Sequence, residues 1–315
     1  MIGASLATPE MPMSAALIAV VVVLLLMRAA PSLVKIRRFA WFSQALSALG
    51  ARLGEGSHAA GHAALAVAVV VPVVLIAAVH NALENDVFGL PALLLGIGVL
   101  FYAWGPRDLE HDVEAVADAS DTRQRREAAA HLWPPGHTPV LAGGALVEAV
   151  FRCALRRQFA VLLWFVLLGP AGALGYRLIE RSVDGEPGSR LADATRRVAR
   201  RVLAWLDWPA AQLIVFALAL VGHFDAVLGA WRRAGGASLR PDHGFLTAAA
   251  RASVRCELDE DRADALDDES PDSPPPATLA AREAPELRDA LGLVWRCLLA
   301  WLAALALFVI GGWVS

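Results

Sequence analysis

The chain has 315 residues, of which 57% are hydrophobic, with a mean hydropathy of +0.51 and a net charge of −3 at pH 7. Soluble domains are only about 45–50% apolar even when glycine is counted, so the excess indicates an integral membrane protein. A charge this close to zero gives no field for nucleic acid, and we expect none as a partner. Lys35 is the single lysine and does not follow a glycine, which excludes an ATPase of the P-loop class.

The N-terminal membrane region, residues 1–104, contains three apolar runs that predict membrane spans. They cover about residues 13–29, 63–79 and 89–104. Basic residues follow the first run, whereas the link at 80–88 is acidic and carries no lysine or arginine. By the positive-inside rule, the first link is cytoplasmic and the second is outside.

Residues 32–53, between the first two runs, predict an amphipathic helix. Phe39, Phe42, Leu46 and Leu49 recur at helical spacing, which is typical of an interfacial helix lying on the membrane. A helix of a soluble core is the alternative.

His58 and His62 come next, at the i, i+4 spacing that two metal ligands on a helix can use. The glycines around them favour a solvated loop instead. The three cysteines form no C-x-x-C pair, so neither a disulfide nor a zinc site is predicted, and no cofactor is expected.

Residues 105–158 predict a cytoplasmic helical segment. Gly105 ends one helix and Pro106 starts the next. The new helix, about 106–131, begins with acidic residues and ends with arginines, as the helix dipole favours. A rigid Pro-Pro-Gly turn follows at 133–139.

The stretch from Glu148 to Arg181 begins with a row of charges. Glu148, Arg152 and Arg156 follow one another at four-residue intervals and therefore share one face of a helix. An apolar run follows, breaks at Gly169-Pro170, and ends in a polar group that includes Tyr176, Arg177 and Glu180.

Residues 159–222 predict membrane segments interrupted by this Gly-Pro break. Simple alternation of spans would place the arginines of residues 190–201 outside, against the positive-inside rule. A re-entrant hairpin or broken helix at Gly169 would remove the conflict. An ordinary kinked span that tolerates the violation is the alternative.

The last third of the chain divides into three parts. Residues 223–256 are rich in arginine and predict a cytoplasmic helical segment, and residues 257–287 are acidic and proline-rich and predict a disordered linker. Residues 288–315 predict the C-terminal membrane span. The fold class expected is therefore all-α, a polytopic membrane helical bundle with cytoplasmic amphipathic helices.

Ionisable residues at the membrane edge are the strongest candidates for a functional role. The chain contains no G-x-S-x-G or H-E-x-x-H motif, and no catalytic or metal-binding residue is predicted. Because arginine can hold an anion through two parallel hydrogen bonds, we expect an anionic ligand or a lipid phosphate. The candidate ligand-binding residues are Arg107, Asp108, Glu148, Arg152, Arg156, Tyr176, Arg177 and Glu180.

A series of short motifs in residues 90–235 resembles the AmpE family of bacterial inner-membrane proteins. The motifs are the segment 105–109 after a span, the Trp164-centred run that closes on 169–176, Leu206-Asp207-Trp208-Pro209, and 219–223 ending near Ala230-Trp231. The family pattern has D-W-x-P-x-R-L, whereas here Pro209 comes one residue early and Gln212 stands where arginine is expected.

The resemblance implies a multi-pass protein of the bacterial inner (plasma) membrane. It also implies a sensory or regulatory signalling modulator linked to β-lactamase induction and the response to antibiotic. The partners expected beside the lipid bilayer are a cytoplasmic protein or a cell-wall-derived small molecule.

The same core is similar to the cobinamide-phosphate synthases of cobalamin biosynthesis. Glu148 matches the first acidic residue of their pattern, but Arg152, Cys153 and Arg156 stand at the following Glu, Asn and Asp positions. Basic residues can neither hold magnesium nor act as carboxylate bases, so we expect no enzymatic activity. A synthase-like membrane enzyme, and a small-molecule permease working through the Gly169 break, are the alternatives.

Overall fold

The computed structural model describes residues 13–29, 39–53, 58–84, 89–105, 107–185, 191–268 and 279–311. This part of the chain is all-α, as predicted. Its helices are α1 (Met13–Ala29), α2 (Ala40–Leu53), α3 (His58–Glu84), α4 (Leu90–Ala103), α5 (Leu109–Ala117), α6 (Thr122–Ala129), α7 (Gly143–Ala154), α8 (Ala160–Asp184), α9 (Asp193–Val221), α10 (Phe224–Arg233), α11 (Gly244–Asp268) and α12 (Leu279–Ile310). A 3-10 turn, Ala130–Leu132, follows α6, and a π-helical turn, Leu155–Phe159, joins α7 to α8.

Apolar helices occupy the predicted membrane spans. Four stretches of the described chain are long and apolar enough to cross a bilayer: Ala59–Glu84, Gly143–Asp184, Asp193–Val221 and Pro285–Ile310. Helices α1 and α4 are apolar but shorter, with 17 and 14 residues, where a crossing takes about 20. The predicted runs at 13–29, 63–79 and 89–104 coincide with α1, α3 and α4. The C-terminal run is helical as far as Ile310, and residues 312–315 lie outside the described chain.

The chain divides into two compact units. The first comprises residues 1–106, 160–203 and 302–315. Its core includes the predicted apolar face of α2, because Phe39, Phe42 and Leu46 are buried against Ala68 of α3 and against α8. The helix expected over 32–53 begins at Ala40 and packs this face inside the protein; residues 32–38 lie outside the described chain.

The second unit comprises residues 107–159 and 204–301. Helix α7 packs against α11, and α11 also packs against α10. The apolar faces that meet in this unit are fully buried, at Val113, Val116, Leu146, Phe151, Val227 and Leu246. The predicted row of charges faces the start of α11.

The charged helix expected over about 106–131 is instead two helices, α5 and α6. The correction has a local cause. The carboxylate of Asp121 accepts a hydrogen bond from the backbone N–H of Gln124 and so caps the start of α6. A second correction concerns His58, which begins α3 rather than lying in a loop.

The disordered linker expected over 257–287 is helical at both ends in the structure. Helix α11 continues to Asp268, and α12 begins at Leu279. Residues 269–278, which hold most of the prolines, lie outside the described chain. The physical reason is that the acidic ends are also rich in alanine, leucine, glutamate and arginine, which are strong helix formers.

The break predicted at Gly169-Pro170 is present inside α8. Gly169 has φ 64° and ψ −156°, a conformation that only glycine adopts without strain. Pro170 has no N–H to continue the helical hydrogen bonds. Gly172 lies directly against the backbone carbonyl of Trp164, leaving no room for a Cβ. These three residues together build the kink.

Candidate functional site

The charged row on α7 lines a cavity in the second unit. Glu148, Arg152 and Arg156 form one wall, and the start of α11, from Asp242 to Thr247, forms the other. The cavity has a volume of about 230 Å³. The three side chains of the row thus line the same cavity.

A π-helical turn sets the direction of the last arginine in the row. Arg156 and Arg157 lie in this turn, which adds one residue to the helical repeat. The Nε of Arg156 donates to Oδ2 of Asp207 on α9 at 3.1 Å, while Arg157 contacts Asp112 on α5. Two neighbouring arginines thus bind carboxylates on different helices.

Two of the carboxylates at the cavity are neutralised by arginine. Asp207 is fully buried, and Arg156 supplies its charge partner. Glu148 pairs with Arg251 of α11, with Oε1 and Nε 3.1 Å apart. Both carboxylates are therefore engaged in ion pairs with residues of the protein.

Arg152 differs from Arg156 although the two lie one turn apart. Its Nε is buried, and no hydrogen-bond partner for that atom is found in the described part of the chain. The side chain lines the cavity. A buried N–H donor without a partner costs free energy, and a ligand in the cavity would meet the part of the Arg152 side chain that lines it.

His243 lies on the opposite wall. Its Nε2 is 3.9 Å from Oδ2 of Asp207, too far for a hydrogen bond. Burial lowers the pKa of this imidazole below its ordinary value, Asp207 and Asp242 act to raise it, and Arg156 and Arg152 act to lower it further. The ring is therefore neutral at pH 7.

The first turn of α11 adds backbone polarity to this wall. The N–H of Gly244 donates to Oδ1 of Asp242 at 3.1 Å, and Oγ1 of Thr247 donates to the carbonyl of Gly244 at 3.1 Å. The amino end of a 25-residue helix carries a partial positive charge. This wall thus combines the partial positive charge of the helix end with the exposed carboxylate of Asp242.

Arg107 and Asp108 take part in local structure at the start of α5. Asp108 caps this helix by accepting the N–H of Glu110 at 3.1 Å. Arg107 and Arg157 both bind the buried carboxylate of Asp112, at 3.0 Å and 2.7 Å. The structure does not place either predicted residue among those that line the cavity.

Tyr176, Arg177 and Glu180 belong to the first unit. Arg177 is completely buried, and its Nε donates to the carbonyl of Ala103 at 2.5 Å. Its Nη1 lies 3.2 Å from Oε2 of Glu180. This arginine therefore binds the carboxyl end of α4, where helix carbonyls carry partial negative charge.

The structure thus brings together three of the eight predicted residues, Glu148, Arg152 and Arg156. It adds Asp207, Asp242, His243 and Arg251, which the sequence patterns did not place in the site. Asp207 carried a usable signal, since an ionisable residue within an apolar run is usually functional or paired. The other three lie in polar segments, where nothing local marks them.

Comparison with known proteins supports both resemblances. A family model described as "Regulatory signalling modulator protein AmpE" matches residues 19–267. The chain is 28% identical over 239 residues to the "Cobalamin biosynthesis protein CobD" of Stutzerimonas stutzeri, which covers 71% of this chain and 77% of that protein. No solved structure matches. With the family model matched over most of its length, the chain belongs to the AmpE family.

Proposed function

We propose that this protein is a multi-pass regulatory signalling modulator of the bacterial inner membrane that acts in β-lactamase induction and the response to antibiotic. Membership of the AmpE family supports the role. The observation that carries a binding mechanism is Arg152, a cavity-lining arginine whose buried Nε has no partner among the described residues. Ligand binding at this arginine is the input that we assign to the protein.

The chemistry of the cavity favours binding over catalysis. Glu148 and Asp207 are engaged in ion pairs with Arg251 and Arg156. Arg152 and Arg156 stand where the resemblance to the synthases implies acidic groups, and arginine can neither bind magnesium nor act as a base at neutral pH. We therefore assign no reaction to this site.

The helices at the cavity offer a route for the signal. A ligand on Arg152 would contact both α7 and the start of α11, which pack against each other. Helix α11 runs on into the acidic segment that ends at Asp268. We propose that this segment, or the chain after it, meets a cytoplasmic protein partner, because a ligand that shifts α11 would change what that segment presents.

Gene deletion followed by measurement of β-lactamase induction tests the proposal. We expect deletion to change induction by a β-lactam, and the wild-type gene to restore it. A copy carrying Arg152→Gln should fail to restore it, whereas Arg123→Gln should succeed, because Arg123 is exposed and pairs only with Glu127 among the described residues. Immunoblots of the membrane fraction control for protein level. Normal induction in the deletion strain would rule out the role.

A further inference from the structure

The charged groups at the cavity balance one another. Three arginines, Arg152, Arg156 and Arg251, stand against three carboxylates, Glu148, Asp207 and Asp242. Four of these groups form two ion pairs, Arg156 with Asp207 and Arg251 with Glu148. Arg152 and Asp242 are left, one positive and one negative, and both line the cavity.

His243 does not disturb this balance at pH 7. The charged groups that face it are Asp207, Asp242, Arg156 and Arg152. Burial has the largest effect on its pKa, which is lowered although the two carboxylates act to raise it. With a neutral imidazole the net charge of the cavity is zero. A dianion such as inorganic phosphate would leave that space with uncompensated negative charge, close to the carboxylates of Glu148 and Asp242.

The size of the cavity limits the ligand further. Pockets for drug-sized ligands commonly measure about 300–1,000 Å³, and this one measures about 230 Å³. A ligand enclosed here has few heavy atoms. The lining also includes Leu155 and Leu246, which suit a short apolar side chain between the two charged ends.

We propose that this cavity binds a small zwitterion, an amino acid or the end of a short peptide, with its carboxylate on Arg152 and its ammonium group on Asp242. The inference rests on the proposed function and names the ligand class for the same site. The carboxylate pairs with the guanidinium of Arg152, which lines the cavity, and lies near the amino end of α11, where negative charge is favoured. Asp242 is exposed at the rim, so the ammonium group is only partly desolvated there.

Isothermal titration of the full-length protein in phosphatidylglycerol nanodiscs tests the inference at pH 7. This lipid carries no ammonium group and cannot supply the zwitterion itself. The probes are the dipeptide alanylalanine, its N-acetyl form, its C-terminal amide, and inorganic phosphate. We expect alanylalanine to bind at least about tenfold more tightly than any of the other three, since each of those lacks one charge–charge contact or has the wrong charge.

Two variants separate this result from adventitious binding. Arg152→Gln should lose affinity for alanylalanine while keeping the weak affinity of the amide, and Arg123→Gln should bind both like the wild type. Equal binding of the N-acetyl form, tighter binding of phosphate, or no binding of alanylalanine would each overturn the zwitterion assignment.

The binding assay and the induction assay can fail independently of each other. If alanylalanine did not bind but Arg152→Gln still abolished β-lactamase induction in cells, the proposed function would stand and the zwitterion assignment would fall. If alanylalanine bound through Arg152 but induction were normal in the deletion strain, the ligand class would stand and the signalling role would fall.

Discussion

Arg152 and Arg156 show how two identical residues one turn apart acquire different roles. Arg156 neutralises a fully buried carboxylate, and Arg152 has no such partner in the described chain. The row itself could be predicted from the sequence because helical spacing is a local property. The distinction could not, since Asp207 lies 51 residues away from Arg156 and only the fold brings them together.

Replacing Arg156 should destabilise the protein strongly. In Arg156→Met the carboxylate of Asp207 stays buried without its cation, which typically costs about 3–5 kcal/mol. Chemical denaturation in mixed micelles measures the change. The double variant Arg156→Met/Asp207→Leu should recover most of the loss, because no buried charge is left. An Arg156→Met protein as stable as the Arg123→Met control would show that the ion pair contributes little.

The lowered pKa of His243 should affect how the stability of the protein depends on pH. Its pKa is lowered in the folded state, so the unfolded chain takes up a proton first as pH falls below about 6.5. The contribution of this histidine to stability is therefore complete above that pH and is lost as pH falls towards the folded pKa. Each unit of pKa difference corresponds to about 1.4 kcal/mol. Unfolding curves at pH 8 and pH 5 should diverge less for His243→Gln than for the wild type, and equal divergence would contradict the shift.

At the scale of elements, sequence predicted those features whose cause is local. The break in α8 follows from adjacent glycine and proline, and the apolar runs became helices. The junction between α5 and α6 was missed although its signal was present, since Asp121 with Gln124 three residues later is a capping pattern. No local pattern marked the π-helical turn at Leu155–Phe159, in which Arg156 and Arg157 each bind a carboxylate on another helix.

Replacing Gly169 at the kink in α8 should destabilise the protein. Gly169→Ala would force a Cβ into a backbone conformation at φ 64°, ψ −156°, which costs about 1–3 kcal/mol. Gly98→Ala in α4 is the matched control, because it has open space around it, and alanine at such a helical site is neutral or stabilising. Thermal unfolding in detergent compares the two. Equal melting temperatures would mean that the helix straightens without cost.

At the scale of the whole chain, the contacts within the first unit bear on the topology that the sequence left open. Helix α2 and the start of α3 are predicted to be cytoplasmic, and the end of α8 and the start of α9 lie beside them. Ile179 and Ser182 share an apolar groove with Leu65 and Val198. Gly61 lies against Thr195, so closely that a Cβ would collide. The start of α9, which carries the arginines, therefore lies beside elements that are predicted to be cytoplasmic.

This arrangement favours a re-entrant path for residues 159–176 and removes the conflict with the positive-inside rule. Arg177 supports it, because it binds the carbonyl of Ala103 at the end of α4, which is also predicted to be cytoplasmic. The guanidinium of Arg181 lies 4.9 Å from the ring centre of Phe39, directly before α2. Both contacts place the carboxyl end of α8 on the same side as α2.

Alkaline phosphatase fusions, active only outside the inner membrane, test this topology. A fusion after Glu84 should be active, since the following link is acidic and predicted to be outside, and fusions after Arg52 and Gly185 should be inactive. If α8 simply crossed the bilayer, the fusion after Gly185 would be active and the other two results would not change. The Gly185 fusion therefore decides between the two paths. The Arg52 and Glu84 fusions serve as the inside and outside references in the same cells. High activity after Gly185 would mean that α8 crosses the bilayer and that the arginines of α9 are a tolerated exception to the positive-inside rule.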